Sequence, residues 1–226
     1  MKMEEKNTVS GLAAVIFDLD GTLLYTLADI ARAANHALQI NGFPTHPTED
    51  YRTWVGWGLL EIVRRAIPED VCEEETLQRV YTSLMKEYRR DPIMHTVPYP
   101  GIDTLLDTIT QKGIPMGVLS NKEEPLVVRI VEQLLDSWEF IDVRGNREDR
   151  PKKPDPAVVL EIADKMAVAP EKIAYVGDSD IDMKTAVNAG MLPVGVVWGY
   201  MTKDVLHNAG AQFLARRADE LLKLFS

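Results

Sequence analysis

The sequence predicts an α/β fold: a mainly parallel sheet with helices on both faces, and a helical insertion after the first strand. Three observations carry this reading. Short apolar runs rich in β-branched residues alternate with helical patterns along most of the 226-residue chain. Acidic or hydroxyl side chains stand at the ends of several runs, where such sheets gather functional groups. One interval, residues 27–95, breaks the alternation with helical patterns alone.

The first run, residues 12–19, reads as a buried strand closed by acidic residues and a glycine. Four later runs resemble it, at 115–119, 140–143, 173–176 and 192–197. Helical patterns at 102–111, 125–134, 156–165 and 181–189 separate most of them, which favours parallel pairing. Within the insertion, 27–40, 59–67 and 73–88 read as helices with no convincing strand between them. The expected division is therefore a core of residues 1–26 and 96–226 with a helical domain at 27–95. His95-Thr96-Val97-Pro98-Tyr99-Pro100-Gly101 supplies a return linker, and 216–225 reads as a final surface helix.

Composition narrows the function classes. Hydrophobic residues make up 46% and charged residues 27%, the balance of a globular chain. A net charge of -10 opposes non-specific binding to nucleic acid or an anionic membrane, so neither partner is expected. No apolar run approaches the roughly 20 residues that span a bilayer. Cys72 is the single cysteine and its acidic neighbours oppose thiolate formation. MKMEEKNTVSG lacks the apolar centre of a signal peptide, and the expected compartment is the cytoplasm. The four histidines, His36, His46, His95 and His207, lack zinc-ligand spacing.

Four short segments carry the chemistry. Asp18-Leu19-Asp20-Gly21-Thr22 sets two carboxylates two positions apart at a strand end. Either one attacks as a nucleophile while the other moves a proton, or the peptide is a polar turn. Ser120-Asn121-Lys122 follows a predicted strand; its hydroxyl and backbone donors suit phosphoryl oxygens, although Ser and Asn also cap helices. Lys153 precedes a proline-started helix and would neutralise charge on a phosphate, or lie solvated. Gly177-Asp178-Ser179-Asp180-Ile181-Asp182 offers oxygen ligands for a hard cation, with Asp180 also placed as a helix N-cap.

These segments, in this order, resemble the haloacid-dehalogenase-like phosphohydrolases. The resemblance implies a Rossmann-like core and a helical cap. It implies that Asp18 is the nucleophile, Asp20 the general acid and base, and Lys153 the residue that orients nucleophile and phosphate. Ser120 would bind phosphate, with Thr22 and Asn121 as further candidates. Magnesium would be held by Asp18, Asp178, Asp182 and the main-chain carbonyl of Asp20. The second aspartate argues against dehalogenation, because a departing halide needs no proton. The expected partner is thus a small phosphorylated metabolite.

Arg52-Thr53-Trp54-Val55-Gly56-Trp57-Gly58-Leu59, 186–191 and 195–200 resemble the phosphoglycolate-phosphatase-like branch, and Arg52 is its candidate cap contact. That branch implies phosphoglycolate as substrate. Pyrophosphatase, broad metabolite phosphatase and beta-phosphoglucomutase activities, or a catalytically silent binding protein, remain the alternatives. The branch commonly has Asp-Ser where this chain has Tyr25-Thr26, which bears on either the cap entrance or its hinge.

Overall fold

The computed structural model describes residues 11–225; residues 1–10, which hold most of the stretch read as lacking a signal peptide, lie outside them. The chain opens with β1 (Ala14–Phe17) and β2 (Leu24–Tyr25), then α1 (Leu27–Ile40), α2 (Leu59–Ala66) and α3 (Glu74–Arg90). Next come β3 (Val97–Pro98), α4 (Ile102–Gln111), β4 (Met116–Glu123), α5 (Glu124–Leu134) and β5 (Asp142–Asn146). α6 (Ala157–Met166), β6 (Ile173–Gly177), α7 (Asp180–Ala189), β7 (Leu192–Val196), α8 (Lys203–Asn208) and β8 (Phe213–Ala215) complete the core.

Six strands form one parallel sheet in the order β5-β4-β1-β6-β7-β8. All four residues of β1 are buried, because helices cover both faces of its sheet. Ala14 and Ile16 join Val159 and Ile162 of α6, while Val15 and Phe17 join Leu105 of α4 and Ile130 of α5. The period of two thus sends alternate side chains into separate apolar layers. From β1 the sheet grows one way through β4 and the other way through β6. That reversal opens a crevice beyond the carboxyl end of β1, the usual place for a ligand in such sheets.

The inserted cap is helical, as expected. Ile30, Ala34 and Leu38 recur along one side of α1 and meet Ile62 and Val63 of α2 and Leu77, Leu84 and Tyr88 of α3. Leu126 and Tyr200 from the core enter the same apolar cluster. The two linkers cross as a small antiparallel pair, with Leu24 opposite Pro98 and Tyr25 opposite Val97. Fully buried Asp29, in the first turn of α1, accepts the His95 N–H and the Thr96 hydroxyl, each at 2.8 Å. The return linker is thereby tied to the cap's first helix. No helix of the described residues is long and apolar enough to cross a membrane.

Several elements differ from the sequence reading. β5 runs later than 140–143, through Asp-Val-Arg-Gly-Asn, because an edge strand pairs on one side and tolerates polar residues. Its Gly145 is required: a Cβ there would lie 2.4 Å from the Glu124 backbone. The tail is a 3-10 helix, Ala218–Phe225, laid on the core through Ala218, Leu221 and Leu224. The short elements β2, β3, α8 and β8 carry too few residues for a visible period.

Candidate active site

Three loops at the crevice meet around one lysine. The first follows β1, where the Asp18 N–H still bonds to the Val176 carbonyl at 2.9 Å. The chain then turns sharply, with the N–H groups of Leu23 and Leu24 converging on the Leu19 carbonyl at 3.1 and 3.0 Å. Gly21 makes this possible with φ +84°, and a Cβ there would stand 2.2 Å from Asp178. The turn points Asp18 and Asp20 into the same cleft, as the spacing predicts.

Lys153 reaches that cleft from the segment before α6. Its ammonium donates to Asp18 Oδ1 at 2.8 Å and to Asp182 Oδ1 at 2.7 Å. Asn121 fixes the Lys153 backbone from both sides, accepting its N–H at 3.0 Å and donating to its carbonyl at 3.3 Å. The same Asn121 amide donates to the cap carbonyl of Gly56 at 3.0 Å. Asn121 therefore organises the cleft's walls as well as lining it.

The third loop follows β6. Ser179 is the N-cap of α7, and its N–H donates to Asp182 Oδ2 at 3.0 Å in a capping box. This corrects the placement of Asp180 as N-cap: its carboxylate instead meets Lys184 at 2.5 Å, one helical turn on. Asp178 accepts the Tyr200 N–H at 2.7 Å and the Thr22 hydroxyl at 3.4 Å. Thr22 thus acts on Asp178 and is not among the cleft-lining residues.

Asp18, Asp178 and Asp182 each offer a carboxylate oxygen within 4.8 Å of the others. Three buried carboxylates with one ammonium between them leave excess negative charge. Burial, then the Asp182 charge, pushes Asp18 up to about 7 despite Lys153. Burial followed by Asp182 and Asp18 raises Asp178 well above the usual range. Burial disfavours charged Lys153, yet Asp18 and Asp182 outweigh it and hold the ammonium well above its ordinary value. A divalent cation bound by oxygen fits this donor set, and magnesium needs few protein oxygens.

Asp20 stands apart from that set. Ser120 donates to its Oδ2 at 3.3 Å, and the Lys122 ammonium forms a buried ion pair with its Oδ1. Lys122 also donates to the cap's Tyr88 hydroxyl at 2.8 Å. The residue motifs assigned no role to Lys122, Tyr88 or Tyr200. A lysine continuing a buried strand was the available signal for the first. Pairing between β4 and β5 shifts register between Leu119 and Glu123, so Ser120, Asn121 and Lys122 sit where the ladder is irregular.

Arg52 is placed at the rim, its guanidinium donating to the carbonyls of Gly199 at 2.6 Å and Tyr200 at 3.2 Å. Tyr25 sets its ring edge against Tyr99 at 6.0 Å, and the Thr26 hydroxyl meets the Tyr200 hydroxyl at 3.1 Å. Both positions lie in the linker between the first core strand and the cap, where Tyr25 also pairs with Val97. Trp54 packs inside the cap against Tyr51 and His46.

Residues 15–196 match the model of the haloacid dehalogenase-like hydrolases. A phosphoglycolate phosphatase of Aquifex aeolicus is 31% identical over 213 residues, covering 94% of this chain and 96% of its own. One from Vibrio parahaemolyticus is 30% identical over 222 residues, covering 96% and 97%. A crystal structure from Lactobacillus delbrueckii subsp. bulgaricus aligns with TM-score 0.88 at 31% identity, covering 93% of this chain and 97% of that one. The match over most of the length, with the carboxylate-bearing loops meeting at the sheet's switch point, makes this chain a member of the haloacid dehalogenase-like hydrolases, in their phosphoglycolate-phosphatase-like branch.

Proposed function

We propose that the chain is a magnesium-dependent phosphomonoester hydrolase that works through a phosphoaspartate on Asp18, with phosphoglycolate as its preferred substrate. The observation that carries the chemistry is the clustering of the Asp18, Asp178 and Asp182 carboxylates at the switch point, with Lys153 bonded to Asp18 and Asp182. The names of the relatives from Aquifex aeolicus and Vibrio parahaemolyticus support the substrate.

In this reading an Asp18 oxygen attacks phosphorus as the bond to the leaving oxygen breaks, and Asp20 gives that oxygen its proton. Asp20 then takes a proton from water, whose oxygen attacks phosphorus and frees Asp18 and inorganic phosphate. Bound magnesium supplies positive charge that offsets repulsion between Asp18 and the phosphate. Lys153 holds Asp18 in line and adds to that charge, while Ser120 and Asn121 place donors at the cleft for phosphoryl oxygens. Residues 27–95 act as the cap that excludes stray water.

Rapid-quench trapping followed by peptide mass analysis tests this reading. Phosphate should appear on Asp18, depend on magnesium, and vanish in Asp18→Asn. Asp20→Asn should slow both formation and hydrolysis of the phosphoenzyme. Efficient single-turnover hydrolysis by folded, magnesium-loaded Asp18→Asn would overturn the mechanism.

A further inference from the structure

The cleft contains two lysines, and the chemistry proposed above uses one of them. Lys153 is occupied by Asp18 and Asp182 at the phosphoryl end. Lys122 is just as buried, with only 4% of its surface exposed, and lines the same cleft. Two of its three N–H donors meet Asp20 and the Tyr88 hydroxyl. Its ammonium also stands 5.1 Å from the centre of the Tyr88 ring. Asp20 and Tyr88 outweigh the opposing effect of burial and hold Lys122 charged.

Position then decides what this charge faces. In-line displacement puts the leaving oxygen on the side of phosphorus away from the nucleophile. Asp20, which serves that oxygen, lies against Lys122, and Lys122 is in turn held by the cap residue Tyr88. The remaining wall on the cap side is mostly apolar, with Ile30, Val55, Leu59 and Ile62. A neutral leaving group would need no buried ammonium there. A charged one would otherwise be stranded among carboxylates and apolar side chains.

We propose that Lys122 is a specificity-determining residue that reads a carboxylate on the leaving group. The substrate class is a short phosphomonoester whose carboxylate sits on the carbon bearing the ester oxygen. The inference rests on the phosphatase reading and adds to it a reason for substrate preference. The third ammonium N–H donates to the carboxylate, and the Tyr88 hydroxyl orients the ammonium. Arg52, with its guanidinium on two backbone carbonyls at the rim, has no such part.

The test compares phosphoglycolate with hydroxyethyl phosphate, which replaces the carboxylate by a neutral group. Using the ratio of kcat/KM within each protein removes the intrinsic difference in leaving group. Lys122→Met should lose about 30-fold or more on phosphoglycolate relative to hydroxyethyl phosphate, the scale of a charge-assisted hydrogen bond. Lys122→Arg should recover part of that preference, and glycolate should inhibit Lys122→Met at least about tenfold more weakly than wild type. An equal fall on both substrates would overturn the inference, leaving Lys122 as a support for Asp20 alone. If Lys122→Met does not fold, wild-type protein decides: glycolate must compete with substrate and ethylene glycol must not. Hydrolysis of neither substrate by magnesium-loaded wild type, nor of p-nitrophenyl phosphate, would overturn the phosphatase reading along with the inference.

Discussion

The ammonium of Lys153 stands 2.8 Å from Asp18 Oδ1, an ion pair with 3% and 9% of the two side chains exposed. The same nitrogen serves Asp182 at 2.7 Å, so removing it strands two buried carboxylates. Lys153→Met should therefore destabilise the metal-free protein by about 3–5 kcal/mol at pH 8, the usual result of breaking a buried pair. The loss should shrink at pH 5, where Asp18 can take a proton instead. Urea unfolding at both pH values measures this, and an equal loss at each would refute it.

Magnesium binding should depend on pH through the same carboxylates. A free Asp loses its proton near 3.8, whereas Asp18 in the folded, metal-free chain holds it to about 7. Between those values the folded state binds more protons than the unfolded state. This contribution to stability is complete below about 4 and is lost as pH rises through about 7. The raised Asp178 acts in the same direction. Magnesium must displace these protons, so its affinity should climb about tenfold per pH unit below 7 for each proton released. Titration calorimetry between pH 5.5 and 7.5 should show proton release; a flat affinity across that range would refute the prediction.

The sheet was legible because its central strands are buried on both faces and read as apolar runs, and helix 102–111 is bounded as its period predicts. The clustering of Asp18, Asp178 and Asp182 was legible because each follows a predicted strand or opens the helix after one, and parallel sheets gather such strand ends at one edge. Lys122 was not, because its partner Tyr88 lies 34 positions away on a cap helix. Tyr200 escaped for the same reason: its N–H donates to Asp178, while its hydroxyl accepts the Thr26 N–H in the linker. Such roles are set by tertiary contacts that leave no period or spacing in the chain.

Arg52 is expected to latch the cap rather than read substrate charge. Its two carbonyl partners belong to the core loop at Gly199 and Tyr200. Arg52→Ala should widen the distribution of distances between a cap label and a core label in the free protein. It should also lower kcat/KM about tenfold, with the same factor for phosphoglycolate and for hydroxyethyl phosphate. A loss confined to the charged substrate would instead make Arg52 a substrate contact.

The loop that Arg52 grips has no room to spare. A Cβ built on Gly199 would lie 2.3 Å from Asp178 Cβ and 2.5 Å from the Gly21 carbonyl oxygen. Neither neighbour is the free end of a flexible chain: Asp178 follows β6 and Gly21 belongs to the turn after β1. Gly199→Ala must therefore push these loops apart, displacing Asp178 relative to Asp18. A shift near 1 Å should lower kcat about 100-fold and weaken magnesium binding. Gly190→Ala is the control, since its Cβ meets nothing within 4 Å but its φ of +71° is strained for alanine. That variant should lose about 1 kcal/mol of stability while keeping its magnesium affinity and kcat. Urea melts, magnesium titration and steady-state rates on both variants separate local strain from displacement of the site. Full activity in Gly199→Ala would show that the loop relaxes without moving Asp178.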